Sequence, residues 1–126
     1  MLANAKTFNS FAVDDLAKAQ EFYGETLGLK VSVLDENNLM SLDRADGPDT
    51  LVYLKPDDFE PATYTILNFS VDDVEEVVDG LAARGVRFEK YEGFGQDEKG
   101  IARGNGPDIA WFKDPAGNIL SVLKDA

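Results

Sequence analysis

Asp108-Ile-Ala-Trp-Phe-Lys-Asp-Pro-Ala-Gly-Asn-Ile-Leu-Ser-Val-Leu123 reads as strand, tight turn, strand. Ile109 to Phe112 is apolar and aromatic, and Ile119 to Leu123 is apolar apart from Ser121. Between them, Pro115 has its φ preset for the second position of a turn. Asp114 can bond the backbone ahead of it, and Gly117 tolerates the positive φ that reverses the chain. A closing hairpin is expected, with Trp111 and Phe112 on opposite faces of its first strand. Periodicity alone leaves open which of the two faces inward.

Working back from the hairpin, a loop beginning at Glu92 carries Gly93, Gly95, Gly100, Gly104 and Gly106. Its length and composition suit a mobile lid or plain surface mobility. Before it, Val86 to Tyr91 reads as a strand, and Val74 to Arg84 as a helix ended by Gly85. Val74, Val77, Val78, Leu81 and Ala82 form one apolar stripe at helical spacing. Asp72-Asp73 supplies the N-cap, and Asp73 with Glu76 resembles a capping box. Tyr64 to Val71 is a further strand.

The N-terminal half repeats this plan. Thr7 to Val13 is a strand, Asp14-Asp15 a cap, and Ala17 to about Thr26 a helix whose stripe is Leu16, Ala19, Phe22 and Tyr23. Gly28 ends it. Strands follow at Lys30–Leu34, Leu39–Leu42 and Leu51–Leu54, with a turn at Asp35–Asn38 and a polar loop at Arg44–Asp49. A shift of 58 residues superposes Thr7 on Thr65, Phe11 on Phe69, Val13 on Val71, Asp14 on Asp72 and Asp15 on Asp73, all identical. Lys55 to Ala62, with two prolines, connects the halves. The expectation is an α+β fold of two βαβββ modules, about 5–55 and 63–125, in a single domain spanning 1–126. Such modules give a curved mixed sheet with helices on its outer face and a concave cleft.

Face alternation then sorts the residues. Phe11, Val13, Phe69 and Val71 should pack beneath the helices. Phe8, Ser10 and Ala12, with Ile66, Asn68 and Ser70, should line the concave side. That mixture of apolar and polar groups suits a small-molecule site.

Composition narrows the function. Asp and Glu number 24 against 12 Lys and Arg, a net charge of −12. Such a chain repels phosphate backbones, so no nucleic-acid partner is expected, and a cationic ligand is attracted. No apolar run approaches the ~20 residues that span a bilayer, and no export signal is visible. With no cysteine, a cytoplasmic location is expected. The absence of histidine removes the usual general base and the commonest transition-metal ligand. No nucleophile with an adjacent base is apparent, so no catalytic residue is assigned.

Phe11-Ala-Val-Asp-Asp-Leu-Ala-Lys-Ala-Gln-Glu-Phe-Tyr-Gly-Glu-Thr-Leu-Gly-Leu29 resembles the first module of the vicinal oxygen chelate superfamily. That superfamily includes glyoxalase I, extradiol dioxygenases and bleomycin-resistance proteins. Val71–Val74, Ala83–Phe88 and Trp111–Leu120 are similar to its second module and closing hairpin. The resemblance implies a divalent metal held by a residue early in each module's first strand, one on the first module's fourth strand, and one shortly after the closing turn. The corresponding residues here are Phe8, Ile66, a member of Leu51–Leu54, and Ser121. None is a carboxylate or imidazole. The expectation is therefore no metal and no cofactor, as in the metal-free drug-binding branch, whose members are dimers with acidic, aromatic-lined crevices.

On that reading the ligand-binding candidates are Phe8, Ser10, Tyr53, Ile66, Asn68, Arg103, Trp111 and Ser121. Trp111 would stack on a ring or hold a cation. Tyr53, Asn68 and Ser121 would offer polar contacts, and Arg103 would clamp a carboxylate or sugar. The expected function is binding, without the usual metal, of a bulky or cationic small molecule by a homodimer. The alternatives are a glyoxalase-like lyase or isomerase with a displaced or absent metal site, and a module whose partner is another protein.

Overall fold

The two capping aspartates set both helices. In the computed structural model, which describes residues 1–35, 38–45, 47–104 and 106–125, Asp15 accepts from the Lys18 backbone N–H at 3.0 Å and Asp73 from that of Glu76 at 3.0 Å. Each cap satisfies one of the donors that a helix start leaves unpaired. Helix α1 spans Leu16–Glu21 and continues as a π-helical turn over Phe22–Thr26, in which the Leu27 N–H donates to the Phe22 carbonyl. Helix α2 spans Val74–Ala83. Both end at glycines with positive φ, Gly28 at 78° and Gly85 at 93°. No helix among the described residues is long and apolar enough to cross a membrane.

The chain divides into two compact units, residues 1–60 and 61–126. In the first, β1 (Asn9–Val13), β2 (Lys30–Asp35), β3 (Leu39–Asp43) and β4 (Thr50–Leu54) form one mixed sheet in the order β1-β4-β3-β2. Strands β1 and β4 are parallel and the other pairs antiparallel. Phe11, Val13, Met40, Leu42 and Val52 are buried on the face that carries α1, where Leu16, Ala19 and Tyr23 also bury. Tyr23 is fully buried, its ring 5.7 Å from that of Phe11. The Asn38 N–H closes the turn onto the Asp35 carbonyl at 3.1 Å; Glu36 and Asn37 of that turn, and Asp46 of the polar loop, lie outside the described residues.

In the second unit, β5 (Thr65–Ser70), β6 (Ile109–Lys113) and β7 (Ile119–Leu123) form a sheet in the order β5-β7-β6, with β5 and β7 parallel. Helix α2 packs on β6 and β7. Leu67, Ala110, Phe112, Leu120 and Val122 are buried on that face. Phe112 is fully buried, and burial of such a side chain contributes about 1.5–3 kcal/mol. Phe69 and Val71 share its direction but are only partly buried.

The hairpin turn forms as its residues dictate. Gly117 has φ 97°, and the Asn118 N–H donates to Asp114 Oδ1 at 2.8 Å. The Asn118 Oδ1 accepts from the Ala62 N–H at 3.1 Å, tying the turn to the connector. A side chain at Gly117 would also meet Pro61 at 3.2 Å, so glycine is required there twice over.

One expected strand does not form a ladder. Residues 86–91 make a single bridge to β6, Phe88 to Phe112, in which the Glu89 N–H donates to the Trp111 carbonyl at 2.8 Å. The cause is Gln96. Its Oε1 accepts from the Tyr91 N–H at 2.6 Å, and its Nε2 donates to the Glu89 and Gly100 carbonyls, each at 2.8 Å. The side chain takes up backbone groups that a ladder would need. The same bonds organise the glycine-rich loop, which also bridges β6 through Ala102 and Ile109 and buries Ile101 completely. Asn105 of that loop lies outside the described residues.

Candidate functional site: the helix-free sheet faces

Strand register decides which side chains share the face away from each helix. In the second unit, Asn68 pairs with Ser121 across β5 and β7, and Ser121 pairs with Trp111 across β7 and β6. Directly opposed residues point to the same side of a sheet. Asn68, Ser121 and Trp111 therefore form one row on the helix-free face, while Phe112 packs beneath α2 with Leu120. Trp111, not Phe112, is the residue available to a ligand. Ser121 is fully buried at the floor of the row, and its hydroxyl donates to Asn68 Oδ1. Asn68 is exposed. Ile66 stands partly buried where the β5–β7 register is irregular.

Trp111 has company that the sequence reading did not assign. The rings of Tyr91 and Phe94 lie 5.6 and 5.4 Å from it, and 5.8 Å from each other. Such spacings fall in the attractive range for aromatic pairs. A cavity of about 270 Å³ opens beside Trp111, Phe94 and Ile109. The Tyr91 hydroxyl is buried and has no hydrogen-bond partner among the described residues. Burial raises its pKa, aided by the Glu89 charge and opposed by that of Lys113. Tyr91 ends an expected strand that forms no ladder and Phe94 lies in the loop after it, so alternation along β6 did not reach them.

Arg103 borders the same cavity, but its guanidinium is committed. It reaches Glu75 at 2.8 Å and Asp97 and Asp108 at 3.3 Å each. Asp97 and Asp108 raise its pKa further. A ligand carboxylate would have to compete with three carboxylates of the chain itself. Lys99, paired with Asp79 at 2.9 Å, extends this network to the next turn of α2.

In the first unit, Ser10, Leu51, Ser41 and Ser32 form the corresponding row, with Ala12, Tyr53 and Leu39 beside it. Tyr53 is 39% exposed and Phe8, just before β1, is 65% exposed. A cavity of about 470 Å³ opens here against Phe8, Leu34, Leu51, Ser32, Ser41 and Asp43. Asp43 accepts from the Ser32 hydroxyl at 3.1 Å and the Ser41 hydroxyl at 3.2 Å. It is a carboxylate on the helix-free face that the sequence reading missed, because the strand was taken to end at Leu42. Glu89 is its counterpart in the second unit. The Phe88–Phe112 bridge turns Phe88 toward α2 and Glu89 to the other side, 3.5 Å from Lys113 Nζ.

The eight candidates therefore fall into two groups: Phe8, Ser10 and Tyr53 in the first unit, and Ile66, Asn68, Arg103, Trp111 and Ser121 in the second. At the positions where the resemblance implies metal ligands, Phe8 and Ile66 carry no donor atom, and the Ser121 hydroxyl is bonded to Asn68. Among the described residues, no group of three or more His, Cys, Asp and Glu side chains converges to hold a cation. The donor set does not fit the family's metal.

Residues 7–122 match the glyoxalase/bleomycin resistance protein/dioxygenase superfamily. The chain belongs to that superfamily. YraH of Bacillus subtilis (strain 168), described as an uncharacterised protein, is 29% identical over 126 residues, covering 89% of this chain and 91% of that one. Two solved structures share the superfamily fold. TnmS3, an antibiotic-binding protein from Streptomyces sp. CB03234, superposes with a TM-score of 0.70 at 23% identity, over 100% of this chain and 99% of its own. Lactoylglutathione lyase from Agrobacterium tumefaciens gives 0.70 at 22%, over 98% and 96%. A binder and an enzyme are thus equally similar in backbone, and the superfamily alone does not choose between them.

Proposed function

We propose that this superfamily member binds a small molecule on the helix-free faces of its sheets, without the metal that the superfamily's enzymes use, and sequesters a bulky or cationic compound. The observation that carries this reading is the aromatic group of Trp111, Tyr91 and Phe94 beside a cavity, in a chain whose metal-ligand positions hold Phe8, Ile66 and Ser121. Aromatic walls with a few polar groups are how small-molecule sites are built. The −12 charge favours a cationic ligand, and the antibiotic-binding neighbour TnmS3 is in keeping with it. A single domain acting as a homodimer in the cytoplasm belongs to the same proposal.

A second reading is a glyoxalase-like lyase or isomerase with a displaced or absent metal site, for which Asp43 and Glu89 are the carboxylates available. Metal analysis of the purified protein, followed by a thermal-shift screen, separates the two. The binding reading expects stabilisation by cationic aromatic compounds and none by divalent ions. A stoichiometric bound metal, or stabilisation by Ni²⁺, Zn²⁺ or Fe²⁺ at low concentration, overturns it. Elution as a monomer at high concentration overturns the dimer.

A further inference from the structure

We infer that the cavity on the helix-free face of the first unit recognises an organic ammonium group carried on an apolar body, with Asp43 as its counter-charge. The inference rests on the small-molecule-binding reading above and assigns the ligand chemistry of one site. At about 470 Å³ the cavity lies within the range that encloses small ligands.

The Asp43 carboxylate is held for the task. Ser41 donates to its Oδ1 and Ser32 to its Oδ2, so both oxygens are oriented by neutral hydroxyls that leave its charge intact. The cation nearest it is Lys30, whose ammonium lies 4.0 Å away on a side chain 82% exposed. A pair at that distance, with one partner in water, is weak. An ionised carboxylate accepts more than two hydrogen bonds, so Asp43 has acceptor capacity left for a ligand N–H. Its side chain is 25% exposed, reachable but partly shielded from solvent, which strengthens its attraction for a cation.

The walls define the rest of the ligand. Phe8, Leu34 and Leu51 present apolar surface, with Phe8 65% and Leu34 57% exposed. The face of the Phe8 ring also attracts cations. Asp43 and Asp49 outnumber Lys6 among the lining residues, which disfavours an anion. A divalent metal is disfavoured too, since it needs about six oxygen ligands and these walls are largely hydrocarbon. An ammonium on an aromatic or aliphatic body satisfies both the carboxylate and the walls.

The test is an NMR titration of the intact ¹⁵N-labelled protein with phenethylammonium chloride and, separately, with neutral 2-phenylethanol. The ammonium compound is expected to shift the amides of Ser32, Ser41, Asp43 and Leu51 saturably, and to bind at least about tenfold more tightly than the alcohol. Asp43→Asn should lose that advantage, Lys30→Met should strengthen binding, and added NaCl should weaken it. Equal affinity for the two compounds, unchanged binding by Asp43→Asn, shifts confined to residues 91–111, or no saturable shift each overturns the inference. Should Asp43→Asn fail to fold, Lys30→Met and the salt series decide. The broader binding reading survives these failures if cationic aromatic compounds still stabilise the protein through Trp111. It falls if no cationic aromatic compound of the thermal-shift panel stabilises the protein, or if a metal binds as set out above.

Discussion

Ser121 stands opposite Asn68 on the parallel β5–β7 pair, fully buried, with its hydroxyl donating to Asn68 Oδ1. The resemblance to the superfamily implies a metal ligand at this position. Ser121→Ala removes the bond but leaves an exposed Asn68 that water can satisfy, so urea unfolding should show a loss of only about 1 kcal/mol. Ser121→Glu places a carboxylate in a fully buried position, where the neighbouring Ile66 offers no ligand atom to share a metal with it. It should destabilise by about 3–5 kcal/mol, and Ni²⁺ should not rescue the Tm.

Trp111 is the sole tryptophan, half-buried between Tyr91 and Phe94, so its fluorescence reports directly on that cavity. Ligands of the second unit should change its emission saturably. Trp111→Leu should keep the fold and weaken those ligands by about tenfold or more, or about 1.4 kcal/mol. Unchanged affinity measured by calorimetry would remove Trp111 from the site.

The buried Tyr91 hydroxyl lacks a partner among the described residues. Tyr91→Phe removes an unsatisfied polar atom while keeping the ring, so thermal unfolding should show a neutral effect or a gain of up to about 1 kcal/mol. Because burial holds the folded pKa above its ordinary value, neutral Tyr91 favours the native state. That contribution is complete below about pH 10 and is lost as pH rises through the folded pKa. Spectrophotometric titration of Tyr91→Phe against the parent protein should show the loss of a phenol that ionises above the ordinary tyrosine range.

Asp97 gives the opposite dependence. Burial pushes its carboxyl pKa up, but the Ile101 and Lys99 backbone N–H groups and the Arg103 guanidinium outweigh this and hold it below the ordinary value. Its stabilisation of the glycine-rich loop is present above about pH 4 and is lost as pH falls through the folded pKa. Hydrogen exchange at the Ile101 amide, which donates to Asp97 Oδ1 at 2.9 Å, should quicken over that acid range relative to core amides. Asp97→Asn should remove that pH dependence.

The duplicated caps offer a paired test. Asp15→Ala and Asp73→Ala each delete one side-chain acceptor for a helix N–H, so each should cost about 1 kcal/mol in chemical denaturation. Costs differing by several-fold would mean that the two modules, though repeated in sequence, are not equivalent in energy.

What the sequence determined by itself was local or periodic. Asp15 and Asp73 mark the helix starts, Gly28 and Gly85 their ends, Asp114 to Asn118 the closing turn, and the 58-residue repeat the two modules. These signals act over a few residues, through capping, φ preference and side-chain period, and so they survive without knowledge of the partner strand. Tertiary structure decided the rest. Strand register set Trp111 on the helix-free face and Phe112 under the helix, and put Asp43 and Glu89 on the helix-free faces as well. Gln96 reached back to residues 89 and 91 and replaced a ladder with a bridge. Arg103, free by sequence, met Glu75 from a helix 28 positions earlier. Each of these outcomes depends on contacts between residues distant in the chain, which neither propensity nor alternation encodes.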